Sequence, residues 1–234
     1  DKTAPTLSSV SIASNNSTTT LAKASNVVTL TFTASETIAT PVVTFQSGGA
    51  AITDTSITYA SSGNVWTAAY TANASDTDGS VTYSIAFSDS AGNAGTAVTS
   101  GSGSVTFDKT APTLSSVSIA SNNSTTTLAK ASNVVTLTFT ASETIATPVV
   151  TFQSGGAAIT DTSITYASSG NVWTAAYTAN ASDTDGSVTY SIAFSDSAGN
   201  AGTAVTSGSG SVTFDKTAPT ITSFSSTTTN GSYN

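Results

Sequence analysis

The chain has 234 residues, with 13 Asp or Glu against 5 Lys, no Arg, His, Cys or Met, and a formal net charge of −8. Nucleic acid and anionic membrane surfaces are held through Lys/Arg clusters, so both are excluded as direct partners. The commonest general base and the thiolate nucleophile are missing, which makes an enzyme the poorest reading, and zero cysteine excludes a disulfide framework.

In chain order, the opening DKTAPT comes first and comes back: Asp1, Asp108 and Asp215 each begin a copy, a period of 107 residues. Residues 1–107 and 108–214 match at every position, whereas the third copy departs after DKTAPT as ITSFSSTTTNGSYN. A unit of this length can close its own core. The sequence therefore predicts two complete domains, 1–107 and 108–214, and in 215–234 a truncated start of a third, divergent one. A chain that opens in repeat register reads as a segment of a longer protein.

Within a copy, seven runs alternate apolar and polar residues. Leu7, Val10 and Ile12 mark the first, after Pro5. NVVTLTFTAS sets Val28, Leu30 and Phe32 against Thr29, Thr31 and Thr33, one buried face and one wet. TPVVTFQ carries Val43 and Phe45. A short extra strand is expected around Ile52, then SITYA, then VWTAAYT with Trp66, Ala68 and Tyr70 on one face. SVTYSIAF turns Val81, Tyr83, Ile85 and Phe87 inward, and the glycine-broken TAVTSGSGSVTF ends on Val105 and Phe107. High β-branched content and a period of two leave no helix, and no apolar run approaches the roughly 18 residues of a membrane span. The expectation is an all-β chain of tandem immunoglobulin-like antiparallel sandwiches arranged end to end. Tyr83 stands where such sandwiches often carry a corner tyrosine, but Ile85 replaces the cysteine that would follow, and the Trp is on the fifth run rather than the third. In the tail, Ile221 and Phe224 keep the apolar positions of Leu114 and Val117. Residues 225–234 are expected to run extended or to pack on a neighbour.

DKTAPT at the head, ASETIATPVVTF after the second strand and FSDSAGNAGT after the sixth, in that order on a perfect tandem repeat, resemble the bacterial Ig-like domains of large cell-surface adhesins. The resemblance implies an extracellular, cell-surface location and calcium at or near the joints. It also implies a role as extenders that hold a terminal binding domain away from the cell. Independently, a sandwich with an odd strand number enters at one pole and leaves at the other. The only connection from Phe107 onward is short and contains Pro112, which biases Ala111 to an extended backbone, so the joint reads as stiff and the neighbouring repeats as each other's partners in a monomeric rod.

The carboxylates follow from that layout. Loops after the second, fourth and sixth strands share the entry pole, which places Glu143 and Asp196 beside Asp108, with Asn200 offering a further oxygen. Carboxylates meeting without Arg repel, and a hard cation taking six to eight oxygens removes the penalty. Calcium suits them, whereas zinc or copper would want His or Cys. For Asp76 and Asp78, facing the joint from the first copy, two readings stand: they complete this site or hold a second ion, or they are solvated turn residues. The equivalent positions are Asp1, Glu36, Asp89 and Asn93 at the head of the first copy, and Asp183, Asp185 and Asp215 at the end of the second. Asp54 and Asp161 read as surface charges, Lys2 and Lys23 as isolated, and Trp66 and Tyr70 as core rather than a sugar platform. Against the spacer stands a different class of function, a glycan- or protein-binding module acting through repeated exposed loops.

Overall fold

The computed structural model describes residues 2–225. The predicted runs become strands: in the first copy β1 (Leu7–Ser14), β2 (Leu21–Ala22), β3 (Val27–Ala34), β4 (Val42–Ser47), β5 (Ala50–Ala51), β6 (Thr58–Ser62), β7 (Val65–Thr71), β8 (Gly79–Ala86) and β9 (Thr106–Phe107). The second copy repeats them as β10 (Leu114–Ser121), β11 (Leu128–Ala129), β12 (Val134–Ala141), β13 (Val149–Ser154), β14 (Ala157–Ala158), β15 (Thr165–Ser169), β16 (Val172–Thr178), β17 (Gly186–Ala193) and β18 (Thr213–Phe214). Among the described residues no helix is long and apolar enough to cross a membrane.

Each copy is a two-sheet sandwich. One sheet runs β1-β3-β7-β6 and the other β2-β9-β8-β4-β5, with β10-β12-β16-β15 and β11-β18-β17-β13-β14 in the second copy. This is the immunoglobulin arrangement of a four-stranded sheet facing a second sheet, extended here by a short parallel first-strand partner (β2 on β9) and a short edge strand (β5). Val28, Leu30 and Phe32 of β3 are fully buried and meet Val43, Phe45, Val81 and Ile85 of the facing sheet in one core. The rings of Phe45 and Tyr70 lie 4.8 Å apart across it, tilted by 45°, a geometry aromatic quadrupoles favour.

Several expectations need correction. Leu7 and Val10 are three residues apart, an odd step for one face. The strand absorbs the extra residue in a bulge between Ser8 and Ser11, with Ser9 at φ 51°. The short extra strand is Ala50–Ala51 rather than at Ile52, which instead packs on the core edge. The last run forms a ladder only at Thr106–Phe107; upstream, Val98 and Ser102 make single bridges to Ile85 and Ser11. The reason is closeness: a Cβ on Gly101 would sit 2.4 Å from the Val10 carbonyl oxygen and 2.8 Å from the Tyr83 hydroxyl. Tyr83 is therefore no corner tyrosine, since its buried hydroxyl, like that of Tyr70, makes no hydrogen bond among the described residues. Burial pushes both phenols up, Tyr70 further under the added field of Asp76. Trp66 is only half-buried, at the core margin, while Ala68 and Tyr70 are buried as expected.

The described residues form two compact units whose limits differ from those of the repeat. The first takes the chain up to Ser115 together with Ala141–Val149 and Ala193–Val205, and the second takes Ser116–Thr140, Val150–Ile192 and the chain from Thr206 onward. The loops that follow β12 and β17 thus belong to the first unit, which holds the site described next. In the tail, Ile221 and Phe224 are about 90% exposed; the expectation for 225–234 falls, beyond Phe224 and Ser225, outside the described residues.

Candidate functional site

Asp108 leaves the end of β9. Its backbone N–H donates to the Ala22 carbonyl (2.8 Å), and its carboxylate accepts from the Thr110 N–H (2.9 Å), an Asx turn that stops the ladder and turns the chain. Glu143 sits two residues beyond β12, in a loop tied by the Ser142 N–H to the Thr113 carbonyl and by a bridge between Ile145 and Asp196. Asp196 opens the turn after β17. Its Oδ1 accepts from the Asn200 N–H and its Oδ2 from the Asn200 side-chain amide, both at 2.8 Å.

One carboxylate oxygen from each of Asp108, Glu143 and Asp196 lies within 4.8 Å of the others, with Asp196 buried and the other two half-buried. Burial first, then the negative charges of Asp108, Asp196 and Asp78, hold the Glu143 carboxyl above its usual range. The neighbouring lysines do not relieve this. Lys23 donates to the Gly199 carbonyl and Lys109 to the Asp76 carbonyl, each at 2.6 Å.

The donor set fits a hard cation. Oxygens on opposite sides of a calcium ion with bonds of ~2.4 Å are ~4.8 Å apart, so the observed spread allows one shared centre. All three groups are anionic oxygens with no nitrogen or sulfur among them, which suits calcium and not zinc. Asn200 stands beside the group, as its sequence position suggested. Its amide nitrogen bridges the Asp108 carbonyl (2.9 Å) and the Asp196 carboxylate, so it positions two members of the group.

Asp76 and Asp78 do not join the three. Asp76 is 1% exposed, and its carboxylate accepts from the Thr53 N–H (2.7 Å), the Thr53 hydroxyl (2.8 Å) and the Asn73 N–H (2.9 Å). It is neither a solvated turn residue nor an open ligand; it ties two loops together inside the first unit. Asp78 receives the Lys109 N–H (2.8 Å) and the Thr110 hydroxyl (2.6 Å). A Cβ on its neighbour Gly79 would stand 2.8 Å from Gly48, so only glycine lets this loop seat. The DKT motif is thereby explained from its own side chains: Asp108 makes the turn, while Lys109 and Thr110 grip the loop of Asp76 and Asp78.

The same staple recurs at the third DKT. Lys216 and Thr217 donate to Asp185 at 2.9 and 2.8 Å, Lys216 also reaches the Asp183 carbonyl, and Thr217 donates to Asp215. Asp183 is buried on the equivalent partners, Thr160 and Asn180, and the donors from Lys216 and Thr217 hold the Asp185 carboxyl low. At the head of the first copy, Asp89 and Asn93 keep the turn seen at Asp196 and Asn200 (2.8 and 2.7 Å). The side-chain amide of Asn93 leads the donors that hold the Asp89 carboxyl low. Asp1, their partner with Glu36 by sequence, lies outside the described residues.

Two participants escaped the sequence reading. Lys23 is not isolated, and Asn16, buried, donates its side-chain amide to the Ala198 carbonyl (2.9 Å) as well as to Asn26. Their partners are 176 and 182 residues away in the chain. Asp54 and Asp161 are half-buried and are not idle charges, for each accepts two backbone N–H groups, led by Thr71 and Thr178, and both carboxyls are held low as a result.

No family model and no curated protein matches this sequence. Solved structures similar to the chain are tandem immunoglobulin domains. The I-band fragment I67–I69 from titin is 12% identical, with a TM-score of 0.46, covering 92% of this chain and 66% of that one. The titin domains Z1Z2 in complex with telethonin are 16% identical, with a TM-score of 0.30 and coverage of 94% and 100%. The tandem Ig repeats of Dlar are 12% identical, with a TM-score of 0.26 and coverage of 92% and 99%. The chain thus spans just under two thirds of the length of that first titin fragment. The sheet order above defines the class on its own terms: this is a tandem immunoglobulin-like β-sandwich chain.

Proposed function

We propose that the chain is a structural extender of a large bacterial surface adhesin, its copies stacking end to end into a rod stiffened by calcium and projecting a terminal binding domain outside the cell. The observation that carries this is the group of Asp108, Glu143 and Asp196, three anionic oxygens gathered in one small volume with the nearby lysines turned to backbone carbonyls. Calcium bound there would offset their mutual repulsion and join residues more than 80 positions apart in the chain to one ion. The identity of the two copies supports an extender over a ligand-binding module, because duplication adds reach without new chemistry. The sandwich of each copy is filled by its own side chains, with Tyr70 in the core rather than on a sugar platform.

Calorimetric titration of calcium into the calcium-stripped chain tests this. The reading expects a saturable binding event, weakened about tenfold or more in Glu143→Gln and in Asp196→Asn, because affinity follows the number of charged ligands. Absence of binding, or binding indifferent to both substitutions, overturns it.

A further inference from the structure

Because the two copies are identical in sequence, any difference between equivalent residues is made by what lies against them. Three residues of the first copy, Asn16, Leu21 and Lys23, frame one small face. Asn16 is buried and Leu21 half-buried, and the two polar members donate to consecutive carbonyls, those of Ala198 and Gly199. The turn they hold is the SDSAGN segment after β17, and Ala198 is only 3% exposed there. In the second copy the same face consists of Asn123, Leu128 and Lys130. Leu128 is 46% exposed, and among the described residues the Asn123 side-chain NH2 donates to Asn133 alone and the Lys130 ammonium has no partner. The same SDSAGN turn of the first copy, in turn, leaves Ala91 and Gly92 exposed.

We propose that Asn123, Leu128 and Lys130 form a docking face for the SDSAGN turn of a further copy of this 107-residue repeat. The occupant is set by the covered face: one amide hydrogen of the asparagine and the lysine ammonium read two consecutive backbone carbonyls, the second amide hydrogen stays on Asn26, and the leucine of that face is half-buried where its counterpart Leu128 is exposed. Recognition is through main-chain oxygens and a small side chain, so it needs the sharp turn that the aspartate and asparagine of the segment create. The inference rests on the extender reading and supplies the residues by which one unit receives the next, alongside the cation group and distinct from it.

Acetylation of lysine provides the test. The peptides around Lys23 and Lys130 are identical, so each rate is read in the variant that removes the other, Lys23→Arg or Lys130→Arg. In the chain as it stands, Lys130 is expected to react quickly and Lys23 slowly. In a chain lengthened by one further copy after Phe214, Lys130 is expected to slow to the rate of Lys23. The measurement is made both in calcium and in EDTA, and slowing in either supports the docking face. Unchanged rapid reaction of Lys130 in the lengthened chain under both conditions overturns it, whatever the outcome of the calcium titration.

Discussion

The turn at 196–200 and the turn at 89–93 share every residue, yet Ala198 is buried and Ala91 exposed; the face at Asn16 and the face at Asn123 differ in the same way. The cores of the two copies show the opposite, with Phe32 and Phe139 both at 0% exposure and Asp76 and Asp183 both at 1%. The exact repeat is thus an internal control. Where equivalents agree, the copy's own sequence is sufficient; where they differ, a neighbour has been added. Substitutions made in pairs can break or sharpen that division.

The largest effects should be equal between copies. Phe32→Ala and Phe139→Ala each remove a fully buried ring and are expected to cost about 3–5 kcal/mol of the stability of their own sandwich, read by chemical denaturation. Markedly unequal losses would mean that the cores are not independent of what surrounds them. Next come Asp76→Ala and Asp183→Ala, each removing a buried carboxylate that accepts two backbone N–H groups and a threonine hydroxyl, at about 1–3 kcal/mol apiece and again alike.

These expectations also mark what could be read from the sequence. Val28, Leu30 and Phe32 were legible because strict alternation leaves one face to bury. Asp108, Glu143 and Asp196 were legible as neighbours because strand order fixes which loops share an end. Asp76 was not, since its partners are mainly backbone N–H groups that no pattern of side chains reveals. Asn16 and Lys23 were not, because their acceptors are carbonyls far along the chain. The strand Leu21–Ala22 escaped because two residues carry no period.

Smaller and unequal effects follow. Asn16→Ala removes a bond to the Ala198 carbonyl that Asn123→Ala has no counterpart for among the described residues, so the first should cost about 0.5–1.5 kcal/mol more than the second. Equal costs would deny that the turn at 196–200 is held there. The smallest effect is a pH dependence shared by both copies. Backbone donors hold the Asp54 and Asp161 carboxyls below their ordinary value of 3.8. The folded chain therefore binds fewer protons at these groups than the unfolded one, and the stability they contribute is present above pH 3.8 and lost as the pH falls through the lower folded values. Asp54→Asn and Asp161→Asn should flatten the acid limb of the stability profile by similar small amounts.

Solution X-ray scattering of the calcium-stripped chain, before and after calcium is restored, tests the central claim most directly. The account predicts a single elongated particle in calcium, giving way on chelation to a broader distribution of separations between the two sandwiches, and a Glu143→Gln variant that stays broad in both conditions. Identical profiles with and without the ion, or a chain that bends back on itself when calcium is abundant, would contradict it.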